Sequence, residues 1–125
     1  DKPEDMTEVF RFIASRCDTL RELGVFNMLF SDGDYVMAYC TNNLHSITRR
    51  APFGKASLID EEVTVDFQQE TTPNDVVTVI ATQPLTNNET WHKMQPGEYC
   101  VFHLGEVITC NQAEIAQKMS AVQNA

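Results

Sequence analysis

The groups in this sequence that could do chemistry are three histidines, four cysteines, an adjacent pair of arginines and a single tryptophan. His45, His92 and His103 are well separated, and no H-x-x-x-H or H-E-x-x-H spacing puts two imidazoles on one helix face for a metal. Glu98 and His103 are expected on one side of a strand hairpin, with Cys100 on the other, and that does not assemble a ligand set. No metal site is therefore expected. Cys17, Cys40, Cys100 and Cys110 are also scattered, without a C-x-x-C pair. Cys17 falls on a helix face and Cys40 and Cys100 in apolar strand-like runs, positions typical of small buried hydrophobes. Free core thiols in a reducing compartment are the expected state. A Cys–His nucleophile needs base and thiol in contact, and nothing in the spacing brings any Cys against any His.

Arg49 and Arg50 form the one basic dipeptide of an acidic chain. In a strand or loop the two side chains point opposite ways, so one face receives at most one of them. Two roles are open. A planar guanidinium suits an anion or carboxylate ligand; equally, it suits a structural pair with a nearby carboxylate such as Asp60, Glu61 or Glu62, and the density of acids favours the pair. Trp91 lies in a polar loop. It is expected to cap the end of the core, with a ligand stack or interface anchor as the alternative.

The elements that must position these groups follow from periodicity and turn chemistry. Asp5 to Leu23 reads as an amphipathic helix, with Val9, Phe10, Phe12, Ile13, Cys17 and Leu20 recurring at helical spacing. Asp5 with Glu8 makes a capping box, and Gly24 suits a left-handed residue past the end. Phe10, Ile13, Cys17 and Leu20 are expected to pack on a sheet. Val25–Ser31 and Tyr35–Thr41 flank Asp32-Gly33, a hairpin signal. Leu44–Thr48 is a short strand, and Ala51-Pro52-Phe53-Gly54 a loop. Ala56–Ile59 and Val63–Phe67 form a second hairpin. Val76–Thr82, apolar on both faces except for its threonines, reads as a central strand. Glu98–Leu104 and Glu106–Thr109 form a last hairpin over Gly105. Ala113–Gln123 is a short helix with Ile115, Met119 and Val122 on one stripe. These elements predict an α/β (α+β) fold, mainly antiparallel, with the N-terminal helix packed on the sheet and a short C-terminal helix.

Two segments, Ser31–Gly54 and Asp75–Cys100, carry a family resemblance. The runs Ile47-Thr48-Arg49-Arg50-Ala51-Pro52-Phe53-Gly54 and Thr72-Pro73-Asn74-Asp75-Val76-Val77-Thr78-Val79-Ile80-Ala81-Thr82-Gln83-Pro84-Leu85-Thr86 resemble the C-terminal half of class II glutamine amidotransferase-like proteins. Those proteins have the N-terminal-nucleophile hydrolase fold. The resemblance runs from about Pro3 to about Val107. It implies half of an αββα sandwich. In that family a terminal Cys attacks the glutamine amide, its own α-amino group is the base, an Asn-Gly pair forms the oxyanion hole, and an Arg and an Asp hold the substrate. No residue here matches those motifs: the chain begins Asp1-Lys2-Pro3 and contains no Asn-Gly dipeptide. No catalytic residue is therefore expected, and no cofactor.

The chain has 125 residues, nine basic against eighteen acidic, and a net charge of −9. That length suits one modest core, and the acidity argues against nucleic-acid or anionic-membrane partners. No apolar run approaches the ~20 residues of a membrane span, and a cytoplasmic location is expected. Residues 1–110 read as a single domain and 111–125 as an extra helical tail. Two roles remain. The favoured one is a free-standing, non-catalytic module, a homodimer that binds a small molecule or protein, with Ile115, Met119 and Val122 at the interface. The alternative is a structural half whose catalytic half is on another chain.

Overall fold

The computed structural model describes residues 3–51, 55–57, 64–66 and 75–123. In chain order the elements are α1 (Pro3–Leu20), β1 (Met28–Ser31), β2 (Tyr35–Tyr39), β3 (His45–Arg50), β4 (Lys55–Ser57), β5 (Thr64–Asp66), β6 (Val76–Ala81), β7 (His92–Lys93), β8 (Tyr99–His103), β9 (Glu106–Cys110) and α2 (Gln112–Gln123). Every pairing whose register is defined is antiparallel; β1–β2 and β4–β5 join consecutive strands, whereas β2–β8, β3–β6 and β3–β7 join strands remote in sequence. The fold is α+β, as the sequence predicts. The chain divides into two compact units, one of residues 1–42, 94–103 and 107–125, the other of residues 43–93 and 104–106.

The first unit is a sheet of order β1-β2-β8-β9 with α1 on one face. Met28 pairs with Tyr39, and Tyr39 in turn with Tyr99; Phe30 pairs with Met37, and Met37 with Val101. Pairing at this register puts Met37, Tyr39, Tyr99 and Val101 on a single face, and α1 covers it with Phe10, Ala14 and Cys17. The spacing of these three, i, i+4 and i+7, is one stripe of a helix. Phe10 meets the Tyr35 ring edge-on at 5.8 Å, and Phe26 stacks on Tyr39 at 5.8 Å.

Several details of α1 differ from expectation. The helix begins at Pro3, before Asp5, and proline is favoured in a first turn because its missing N–H has no helical partner. The helix ends at Leu20, and Leu23 N–H donates to the Leu20 carbonyl in a tightened last turn. Gly24 is not among the residues with positive φ. Leu20 is 53% exposed, and Val9 and Phe12 also face solvent. The sheet is narrow enough that a single stripe of α1 covers it, leaving these flanking apolar positions outside.

The Asp32 carboxylate accepts the backbone N–H groups of Asp34 and Tyr35, each at 2.9 Å, and closes the β1–β2 turn. Along β8, Cys100 Sγ donates to Glu98 Oε2 at 3.7 Å, so those two share a side. His103 lies on the opposite side, its Nδ1 2.9 Å from the Asp34 carbonyl. The expected pairing of Glu98 with His103 is thereby corrected: an odd separation along a strand puts two residues on opposite faces. Cys17, Cys40 and Cys100 are buried free thiols, as expected, while the free thiol of Cys110 is exposed.

The second unit contains a sheet of order β6-β3-β7 and the two-stranded pair β4–β5. Here the structure corrects the expectation for Val76–Thr82: β6 is an edge strand of its sheet among the described residues, and β3 is central. Val77 is 43% exposed. Thr78 Oγ1 lies 2.8 Å from Thr48 Oγ1, its partner across β3, and donates to the Gly105 carbonyl at 2.7 Å. A run of β-branched residues therefore does not by itself specify a central strand. Gly105 has φ 82°, and a Cβ there would fall 2.3 Å from the Val76 carbonyl oxygen, so both backbone and space require glycine. Pro52-Phe53-Gly54 and the acidic turn Asp60-Glu61-Glu62 lie outside the described residues.

Candidate functional site

Arg49 and Trp91 meet in one network of the second unit. Strand β3 projects Arg49 toward the loop that follows β6. There Arg49 Nε donates to Glu89 Oε2 at 2.8 Å and a terminal nitrogen to Glu89 Oε1 at 2.6 Å, a bidentate pair. Both side chains are largely covered, at 14% and 20% exposure. Thr86 Oγ1 donates to the same Glu89 Oε1 at 2.8 Å, and Trp91 Nε1–H donates to Thr86 Oγ1 at 2.8 Å. The Arg49 guanidinium is the main reason that the Glu89 carboxyl titrates below its ordinary range, with the Thr86 hydroxyl adding to it. The fork of Arg49 is filled by a carboxylate of its own chain, and the Trp91 indole is tied down by its N–H.

Arg50, one residue on, points the other way and makes a two-pronged pair with Glu106 on the exposed side. The opposed directions are those expected of neighbouring strand residues. Arg49 and Arg50 thus both pair with carboxylates. Their partners, Glu89 and Glu106, are remote in sequence, and no local signal identified them.

The first unit contains a polar centre that sequence reasoning missed. Glu98 is 1% exposed. Its Oε1 accepts the Gln95 N–H at 2.9 Å, and its Oε2 accepts Gln112 Nε2 at 3.1 Å and the Cys100 thiol. The available signal was a lone carboxylate heading the apolar run Tyr99–Phe102. Burial, reinforced by the Glu98 charge, pushes the Cys100 thiol far up, and burial with the Asp18 charge pushes Cys17 up as well. Both thiols are held protonated and are poor nucleophiles.

On the same unit, α1, α2 and the Pro96-Gly97 turn enclose a cleft of about 320 Å3. Its walls carry Arg11, Asp18, Arg21 and Lys118 beside Ile115 and Met119. The helix α2 thus brings two of its three expected interface residues to this cleft, Ile115 half-buried and Met119 51% exposed. The Val122 side chain lies outside the described residues. No cluster of three or more His, Cys, Asp or Glu side chains suited to a metal occurs among the described residues.

The fold and these residues belong to a known class. The chain matches, over residues 1–125, the model of the family described as glutamine amidotransferases class-II, and it belongs to that family. This match continues past Val107, where the resemblance was expected to end. Among relatives, a candidate glutamine amidotransferase of Escherichia coli strain K12, YafJ, is 67% identical over 104 residues, which are 83% of this chain and 41% of YafJ. A candidate glutamine amidotransferase of Haemophilus influenzae is 42% identical over 86% of this chain and 36% of its own. The crystal structure of a predicted glutamine amidotransferase from Pseudomonas aeruginosa superposes with a TM-score of 0.71 at 50% identity, over 87% of this chain and 42% of that one. The chain therefore spans about two-fifths of the length of these relatives.

Proposed function

We propose that this stretch is the scaffold portion of a class II amidotransferase domain and hydrolyses no glutamine by itself. The observation that carries the reading is the state of its thiols. Acyl transfer by cysteine needs a thiolate beside a base and donors for the oxyanion. Cys17, Cys40 and Cys100 are buried, and the first and last of these are held protonated. Cys110 is exposed, and it is the thiol that the activity test addresses. The share of each relative that the chain spans supports the same reading, since the rest of such a protein is where catalytic groups would be supplied. Arg49, Arg50 and Trp91 then serve as structural clamps. No helix among the described residues is long and apolar enough to cross a membrane, and buried reduced thiols suit a cytoplasmic setting.

A second reading is favoured by one feature. The edge strands β1 and β9 expose Leu29 and Phe30, and Val107 and Ile108. Exposed apolar edges invite pairing, so the chain on its own is a self-associating module that binds a small molecule or protein. Two measurements separate the possibilities. Ammonia release from glutamine is expected to be nil, and release that disappears in Cys110→Ser overturns the scaffold reading. Co-expression with the remaining part of the E. coli relative is expected to give a mixed complex by light scattering; a homodimer that ignores that part favours the self-associating module.

A further inference from the structure

The cleft between α1 and α2 takes no part in the Arg49–Glu89–Trp91 network or in the contacts around Cys100, and its charge runs against that of the chain. Of the nine basic residues of the sequence, Arg11, Arg21 and Lys118 line it, against Asp18 and Glu114. Asp18 is already engaged: its Oδ1 accepts the Tyr39 hydroxyl at 2.5 Å and lies 3.9 Å from Arg21 Nε. Arg21 in turn is held against Gly97, where a Cβ would come 3.3 Å from a guanidinium nitrogen. Gly97 has φ 85°, a left-handed turn conformation that favours glycine. Asp18 and Arg21 thus offset one another's charge on this side of the cleft.

Arg11 and Lys118 are differently placed. Neither has a carboxylate within 4 Å among the described residues. Arg11 and Tyr99 both line the cleft. The rest of the lining mixes Ala14, Pro96, Ile115 and Met119 with the polar Ser15, Asn111 and Glu114. About 320 Å3 is at the small end of ligand cavities, which combine an apolar lining with a few convergent polar groups. Two cations in a cleft of mixed polar and apolar lining, in a chain of net charge −9, suit an anionic group attached to a compact body with an apolar side.

We propose that this cleft binds a small organic oxyanion, a carboxylate or phosphate on a compact apolar body. Arg11 and Lys118 hold the anionic group, and Ala14, Ile115 and Met119 contact the body. The inference is independent of whether the chain acts as scaffold or module.

The test is titration of the full chain with phenyl phosphate, followed by the amide resonances of Ala14, Tyr99 and Ile115, with benzoate, inorganic phosphate and phenol in parallel. Phenyl phosphate and benzoate are expected to give saturable shifts confined to the cleft, with inorganic phosphate and phenol each at least about tenfold weaker. Arg11→Ala with Lys118→Ala is expected to weaken phenyl phosphate by at least about tenfold with an unchanged circular dichroism spectrum. Arg16→Ala, whose guanidinium lies over the Phe12 ring outside the cleft, is expected to leave binding unaltered. No saturable shift, equal affinity for phenol, or undiminished binding by the folded double variant overturns the proposal. If the double variant fails to fold, Lys118→Gln alone and Arg11→Lys carry the same decision, with loss expected in the first and partial retention in the second.

Discussion

In the first unit, α1 lays Phe10, Ala14 and Cys17 on a face made by Met37, Tyr39, Tyr99 and Val101, and that core is largely apolar, with the Tyr39 hydroxyl donated to Asp18. In the second, β3 and the loop after β6 are joined by a chain of polar groups, Arg49–Glu89–Thr86–Trp91. The difference is one of tolerance. Apolar contacts are non-directional, and their loss scales with the volume removed. A hydrogen-bonded clasp is directional, and removal of one partner strands the others in a poorly hydrated site. The spectroscopy of the chain separates the two units, since all three tyrosines belong to the first and the single tryptophan to the second. Tyrosine signals therefore report one unit and indole fluorescence the other.

The largest expected effect is in the apolar core. Phe10 is 1% exposed, and Phe10→Ala is expected to cost about 3–5 kcal/mol, read as a lower denaturant midpoint in the near-ultraviolet tyrosine signal. A loss below about 1 kcal/mol would show that α1 does not hold the sheet.

The clasp comes next. Arg49→Ala leaves the Glu89 carboxylate covered and without its guanidinium, and about 2 kcal/mol is expected, reported by Trp91 fluorescence. Arg50→Ala, in an exposed pair, is expected to fall within experimental scatter. The two variants make the comparison internal to one strand. A pH dependence follows from Glu89. Its folded pKa is depressed, so its contribution is present above the unfolded glutamate value of about 4.3 and is lost as pH falls through the lower folded value. Glu89→Gln is expected to narrow the gap in stability between neutral and acidic solution, by urea unfolding at both. An unchanged gap would assign the acid sensitivity elsewhere.

A smaller effect is expected at the far end of the same clasp. Trp91→Phe keeps the ring but removes the N–H donated to Thr86, a hydroxyl on a residue 3% exposed. About 1 kcal/mol is expected, by urea unfolding followed in the far ultraviolet. A loss as large as that of Arg49→Ala would make the indole, and not the ion pair, the main fastening of the loop.

Legibility in the sequence followed the same division. Periodicity located α1, and turn chemistry at Asp32-Gly33 and Gly105 located two hairpins, because both signals are local. Which stripe of α1 is covered was not local: Leu20 fits the helical spacing as well as Cys17, and only the width of the sheet excludes it. The place of β6 in its sheet was misread for a similar reason, since strand order depends on partners remote in sequence. Arg49, Arg50 and Trp91 were identifiable as unusual residues in an acidic chain. That Glu89 joins two of them, and that Glu98 is buried beside Cys100, depended on loop closure, for which no residue spacing gives a signal.

The smallest effect is expected at α2. Gln112, its first residue, helps to hold Glu98, but beyond it Glu114, Lys118 and Met119 face solvent, and among the residues whose side chains are described Ile115 alone is half-buried. A chain ending at Gln112 retains the Glu98 contact and loses the rest of the helix. Its tyrosine-reported stability is expected to fall by less than about 1 kcal/mol, with no change in the Trp91 signal, because few apolar atoms return to water. The response to phenyl phosphate is expected to vanish with Lys118, Ile115 and Met119. Light scattering of the same shortened chain then tests self-association. An oligomer that persists without α2 places the contact on the exposed β1 and β9 edges, whereas one that dissociates gives Ile115 and Met119 the interface role expected from their stripe. A stability loss rivalling that of Phe10→Ala would instead make α2 part of the core of the first unit.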